Sequence, residues 1–208
     1  MIDLVIRQRG IDEVVHFTTI NGVIGILDSG FLKSRARIAD DQRLEFILKL
    51  NSIRRDEAWL DYVNLSITNI NNDFFKSSSK KASNVSWVIL SFDPEILTHE
   101  GVTFTSTNNV YHDCVLRGTG VSGLENMFLP QVRWGYYGSV KVRGASHRSQ
   151  EPTDNQAEVL YPAQVSIGYL KKIYVSSYED QDHICGLITA LNAPAVDVLV
   201  VPEKFEVM

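Results

Sequence analysis

The 208-residue sequence predicts one mixed α+β domain over residues 1–208, and three observations carry that prediction. β-rich runs and amphipathic helical patterns are scattered along the chain, neither segregated nor strictly alternating. No repeat or linker marks a second unit, and the length fits one large domain. Hydrophobic residues make up 44% and charged residues 22%, which supports a real core.

The elements follow in order. "GIDEVVHFTTINGVIGILDSGFLKSR" reads as strand, turn, helix and strand: Val14, Val15 and Phe17 favour a strand, and Ile20, Val23, Ile24 and Leu27 then recur at helical spacing. Gly30 stands where a helix-terminating glycine belongs. Residues 40 to 60 carry Leu44, Ile47, Leu48, Leu50 and Ile53 among charges, the pattern of one or two amphipathic helices. "YVNLSIT" and "VSWVILSF" are strands, and the polar segment between them reads as a mobile loop. Short strands fall within 99 to 118, and a short helix within 121 to 137. "VKVRGASHRSQEPTDN" reads as a long exposed loop. "IGYLKKIYVSS" and "DVLVVPEKF" close the chain as strands around a helix near "EDQDHICGLITAL".

Composition limits the function. A net charge of -5 argues against coating a duplex non-specifically, while leaving room for a local basic groove. No apolar run approaches the roughly 18 residues that span a bilayer, and the N-terminus lacks a signal-peptide core. Cys114 and Cys185 lack metal-ligand spacing, so buried free thiols in a reducing compartment are expected, with a cytoplasmic location and no metal. The sequons at Asn64 and Asn84 are then chance matches.

"DNQAEVLYP" raises the functional question, because Glu158 opens an apolar strand where a charge is out of place. It is either an edge glutamate facing water or a carboxylate presented to a cleft. Two further groups bear on the choice: His16 with Thr18 and Asn21 at a strand end entering a helix, and Arg43 in "ADDQRLEF". Alone, each has an ordinary structural reading. Together they suit a dinucleotide and its N-glycosidic bond. Histidine fixes a ribose, arginine's planar fork neutralises a pyrophosphate, and the glutamate favours oxocarbenium character and accepts a proton. No GxGxxG fingerprint, P-loop, HExxH or GxSxG is present.

"VVHFTTINGVIGILDSGFLKSR", "ADDQRLEF", "LDYVNLSITNINNDFF", "WVILSFDPEIL", "FTSTNN" and "PTDNQAEVLYP" occur in the order found in the DarT family, and the chain resembles that family from about residue 14 to 175. The resemblance implies a toxin that ADP-ribosylates nucleic-acid bases with NAD, on an ADP-ribosyltransferase-like fold with a split central β-sheet flanked by helices. It implies NAD-holding roles for His16, Thr18, Asn21 and Arg43, catalysis by Glu158 with Arg43, and a macrodomain antitoxin as partner. Ala39, Glu45 and Ile70 depart from the family pattern around the cofactor.

Single-stranded DNA is the favoured acceptor, because a base within a duplex must first be extruded. Lys141, Arg143, His147 and Arg148 are candidates for its phosphates, Gln156 joins them as a substrate contact, and Tyr136 and Tyr137 are placed to stack on bases. The alternatives are the same chemistry on RNA as an anti-phage effector, a protein-directed transferase, and an inactive binding module.

Overall fold

The computed structural model describes residues 2–41, 57–82 and 84–206. Arg43, Glu45 and most of the amphipathic stretch expected between 40 and 60 lie outside them.

The chain opens with helix α1 (Ile2–Arg9), which the sequence reading did not assign. Strand β1 (Val14–Thr19) runs into α2 (Ile20–Ser29), where the Thr19 hydroxyl accepts from the Gly22 backbone N–H. Gly30 ends α2 at φ 76°, a conformation that suits a residue without Cβ. Then follow β2 (Phe31–Lys33), α3 (Arg35–Ala39) and β3 (Tyr62–Ile67). Along β3, Val63, Leu65 and Ile67 are buried while Tyr62, Asn64 and Ser66 alternate with them, half-buried.

After α4 (Asn72–Lys81) come β4 (Trp87–Phe92), β5 (Thr103–Thr105), β6 (Arg117–Thr119) and α5 (Gly120–Asn126). The hairpin β7 (Gln131–Trp134) and β8 (Ser139–Val142) stands apart as its own two-stranded sheet. The chain closes with β9 (Glu158–Pro162), β10 (Gln164–Ser166), β11 (Leu170–Val175), α6 (Tyr178–Ala190) and β12 (Asp197–Val200).

Among the described residues the main sheet has eight strands, ordered β12–β11–β4–β1–β3–β9–β5–β6. Its centre is split. β1 pairs with β4 over its whole length, from Val14↔Phe92 to Thr19↔Trp87, but with β3 only at Val14↔Ile67 and Val15↔Ser66. From His16 onward the two halves diverge, as expected of a split sheet flanked by helices. The large apolar core includes Val14, Leu65, Leu90, Phe92 and Phe104, and a smaller one gathers Val15, Ile70, Phe75, Ile89 and Tyr174.

The entry to β1 is pinned by Glu13, which accepts from Ser91 Oγ, Tyr174 OH and Lys204 Nζ at 2.7, 2.8 and 2.6 Å. Burial would raise its carboxyl, yet the bonds from Lys204, Ser91 and Tyr174 hold it below the ordinary carboxylate range.

Three expectations need correction. The polar segment after β3 is not a loop: Asn71 caps it through the Phe74 N–H, and Asp73 and Lys80–Lys81 sit at helix ends that suit their charges. Its run of serines conceals a helix anchored by buried Phe75. The loop expected from Val140 onward begins as strand, because Ser139–Val142 pairs with Gln131–Trp134. The short helix expected within 121 to 137 is α5, followed by β7. Finally, Cys185 is exposed and Cys114 only half-buried, so neither is a core thiol.

Candidate functional site

The split between β1 and β3 opens into a cavity of about 350 Å³. Its wall includes His16, Thr18, Thr19 and Gly22 from β1 and α2, and Asn64 and Ser66 from β3. Phe74, Ser78 and Lys81 contribute one helical face of α4, so the segment misread as a loop forms part of this wall. Glu158 lines the same cavity from the first residue of β9.

The carboxylate is held from two sides. Asn64 Nδ2 donates to Oε1 at 3.0 Å from β3, and the Asn109 backbone N–H donates to Oε2 at 2.8 Å from the loop after β5. Glu158 N–H in turn donates to Thr105 Oγ1 at 3.0 Å. His16 spans the split, with Nδ1 2.9 Å from the Asn64 carbonyl oxygen. Histidine, asparagine and glutamate therefore form one connected line across the opening. Hydrogen bonds to an ionised acceptor are the strong ones, so the Glu158 oxygens are fixed before any substrate arrives.

The loop that delivers Asn109 has its own anchor. Arg117 Nε donates to Asn109 Oδ1 at 2.7 Å and its Nη2 to the Asn109 carbonyl at 2.8 Å. The loop is also tied to the segment before β9 through Asp154, which is fully buried. Asp154 accepts from Thr107 Oγ1 at 2.6 Å, from Lys141 Nζ at 2.6 Å and from the Gln156 N–H at 3.0 Å.

The cavity suits an anionic dinucleotide. Lys33, Arg35 and Lys81 are in its lining and Glu158 is the carboxylate among the described lining residues. Phe17, Phe74 and Trp87 form an aromatic wall, with Phe17 and Trp87 ring centroids 5.8 Å apart. The Trp87 indole N–H is buried without an acceptor among the described residues. Gly22 allows close approach: a Cβ there would collide with the Thr18 hydroxyl. Gly22→Ala is therefore expected to displace Thr18, and a dinucleotide that Thr18 contacts would bind about tenfold more weakly, as calorimetry would show. Unchanged affinity would mean that Thr18 takes no part.

A model of the DarT family, described as ssDNA thymidine ADP-ribosyltransferase, matches residues 15–206. The chain belongs to the DarT family. DarT enzymes transfer ADP-ribose from NAD to thymidine of single-stranded DNA. Comparison with curated proteins gives no significant match. Among solved structures, the Thermus sp. 2.9 DarT in complex with NAD+ is similar at 14% identity and a TM-score of 0.66, covering 94% of this chain and 98% of that one. The same DarT in complex with ADP-ribosylated ssDNA aligns at 15% identity and 0.65, covering 95% and 97%. Thermosipho africanus DarTG in complex with ADP-ribose aligns at 19% and 0.58, over 93% of this chain and 51% of that chain. At these identities the structures show a shared DarT fold.

The remaining candidate residues fall as follows. Thr18 lines the cavity, whereas Asn21 is exposed in the first turn of α2 and the wall passes through Gly22 beside it. Arg43 lies outside the described residues. Lys141 is bound to Asp154 and to Asn155 Oδ1, the latter at 2.8 Å. Arg143 clasps the loop before β9, donating to the Glu151 and Arg148 carbonyls, each at 2.6 Å. Arg148 is exposed and paired with Glu151 at 2.7 Å. His147 lines a smaller cavity of about 170 Å³ with Asn69, Glu151 and Asn155, and Ser66 lines both cavities. Gln156 is buried, donating to Asp73 Oδ2 at 3.2 Å and accepting from Tyr111 OH at 3.3 Å.

Sequence reasoning missed Asn64, Asn109 and Asp154. For Asn64 a signal existed, since an asparagine in the middle of the alternating "YVNLSI" lies opposite the apolar face. Asn109 acts through its backbone and Asp154 through burial, and neither leaves a trace in local pattern.

Proposed function

We propose that Glu158 is the catalytic carboxylate of an ADP-ribosyl transfer from NAD to a thymine base of single-stranded DNA. The observation that carries this reading is the carboxylate's position: it lines the cavity at the sheet split and is held by donors from two separate elements. His16 and Thr18 hold NAD with Arg43, whose guanidinium is assigned to the pyrophosphate. Asn21 is assigned the outer edge of the dinucleotide.

Departure of nicotinamide makes ribose C1 electrophilic. In a thymidine the attacking ring nitrogen carries a proton, because the other ring nitrogen is already bound to deoxyribose. Glu158 takes that proton as the new bond forms, and its charge favours the oxocarbenium-like ribose. His147 and Arg148, on the loop leading to Glu158, are assigned to the acceptor strand. Lys141, Arg143 and Gln156 act one step back, by fixing that loop. A cytoplasmic location, and the macrodomain antitoxin that the resemblance implies, complete the reading.

The test offers labelled NAD with single-stranded DNA, RNA of the same sequence and a protein mixture, followed by mass mapping of the label. Label on DNA bases alone is the expected result. Label on RNA or protein in preference would replace the acceptor while keeping the cofactor chemistry.

A further inference from the structure

We infer that the β7–β8 hairpin is a docking arm for the acceptor strand, with Tyr137 at its tip stacking on a base outside the reaction centre. The inference rests on the acceptor assignment above and adds the surface that receives the flanking DNA.

Three observations point to it. The tip, Gly135 to Gly138, carries Tyr136 at 59% and Tyr137 at 96% relative exposure, while Val140 and Val142 on β8 are also exposed. Large apolar side chains presented together mark a binding surface, and two tyrosines keep entropy losses low on binding. The turn is built to present them: Gly135 and Gly138 both have positive φ, 71° and 68°, which a residue with Cβ rarely adopts.

The charge is right for a polyanion. Arg133 and Arg143 have no carboxylate partner among the described residues, whereas Lys141 and Arg148 are paired with Asp154 and Glu151, so the hairpin keeps two uncompensated cations in a chain whose net charge is -5. A basic segment with interleaved aromatics is the composition of a single-strand platform, where every base offers a face to stack on.

The arm is also continuous with the reaction centre. Tyr136 packs edge-on against Tyr111, with ring centroids 5.0 Å apart at 88°. Tyr111 OH donates to Gln156, two residues before Glu158. From the other side of the hairpin, Lys141 reaches Asp154 in the same loop. A strand lying along the arm therefore meets the loop that carries the carboxylate.

The test is direct binding of a fluorescent single-stranded oligonucleotide by the full chain, read by anisotropy. Tyr137→Ala is expected to weaken binding between about fivefold and 150-fold, the range for losing one stacked base. Tyr137→Phe should bind like wild type. NAD affinity and melting temperature should not change, since Tyr137 is almost wholly exposed. Equal binding by Tyr137→Ala and wild type overturns the proposal, and so does a Tyr137→Phe loss as large as that of alanine. If Tyr137→Ala instead loses only binding to a partner protein, the arm serves that partner and the DNA proposal falls. Because binding is read without turnover, failure of the arm is separable from failure of the Glu158 assignment.

Discussion

Lys141→Met is expected to cost about 3 kcal/mol of stability, an unusual loss for a lysine on a hairpin. Its ammonium lies 2.6 Å from Asp154, whose side chain has no exposure, while the lysine side chain retains 26%. Removing the cation leaves a buried carboxylate with Thr107 and the Gln156 N–H as neutral donors. Breaking a buried pair costs about 3–5 kcal/mol, and partial exposure of the lysine puts the figure at the low end. For a chain of this size that is a fall of about 6–12 °C in Tm. Transfer should fall as well, because Asp154 joins the segment before Glu158 to the loop carrying Asn109. A lysine that served only DNA phosphates would behave differently. Its loss would leave Tm unchanged and reduce the salt dependence of DNA binding.

The second large effect is at Glu158. Glu158→Gln keeps the side chain's length and an oxygen for the Asn109 N–H; its NH2 then faces Asn64 Nδ2, and a flip of the Asn64 amide restores that bond through Oδ1, so the fold should survive with a small change in Tm. Transfer should drop by at least about 10² to 10⁴, the usual worth of a general base, and further as charge stabilisation is lost. NAD affinity should change little, because the carboxylate acts mainly where the proton leaves the base and positive charge develops on ribose. The diagnostic pattern is a lost kcat with a retained Kd for NAD. A solvent-facing edge glutamate would show no loss of kcat, and its replacement would change stability by at most about 0.5 kcal/mol.

The sequence made some of this architecture legible and concealed other parts for physical reasons. β1 and α2 could be read because alternation gives way to helical spacing at Ile20, with Gly30 as a stop signal. Glu158 could be placed at a strand start because Val159 and Leu160 follow it directly. α4 was obscure because its anchoring residue, Phe75, sits beside an uninformative serine run. The β7–β8 hairpin was obscure although QVRW and SVKV both alternate polar and apolar residues, because each run is only four residues long and the β8 valines face solvent instead of a core. The roles of Lys141, Arg143 and Gln156 depend on tertiary contacts with Asp154, the 148–151 carbonyls and Asp73, which lie outside local pattern. A cation that looks available in sequence can be committed to holding a loop.

The central claim is that a carboxylate fixed by Asn64 and Asn109 moves ADP-ribose onto a thymine. The most direct measurement runs wild type and Glu158→Gln side by side with NAD and an oligonucleotide containing a single thymidine, then determines by mass spectrometry which group gained mass. The account predicts an ADP-ribose adduct on the thymine base with wild type and essentially none with Glu158→Gln, while both bind NAD. An adduct formed at comparable rate by Glu158→Gln, or one located on a phosphate or another base, would contradict it.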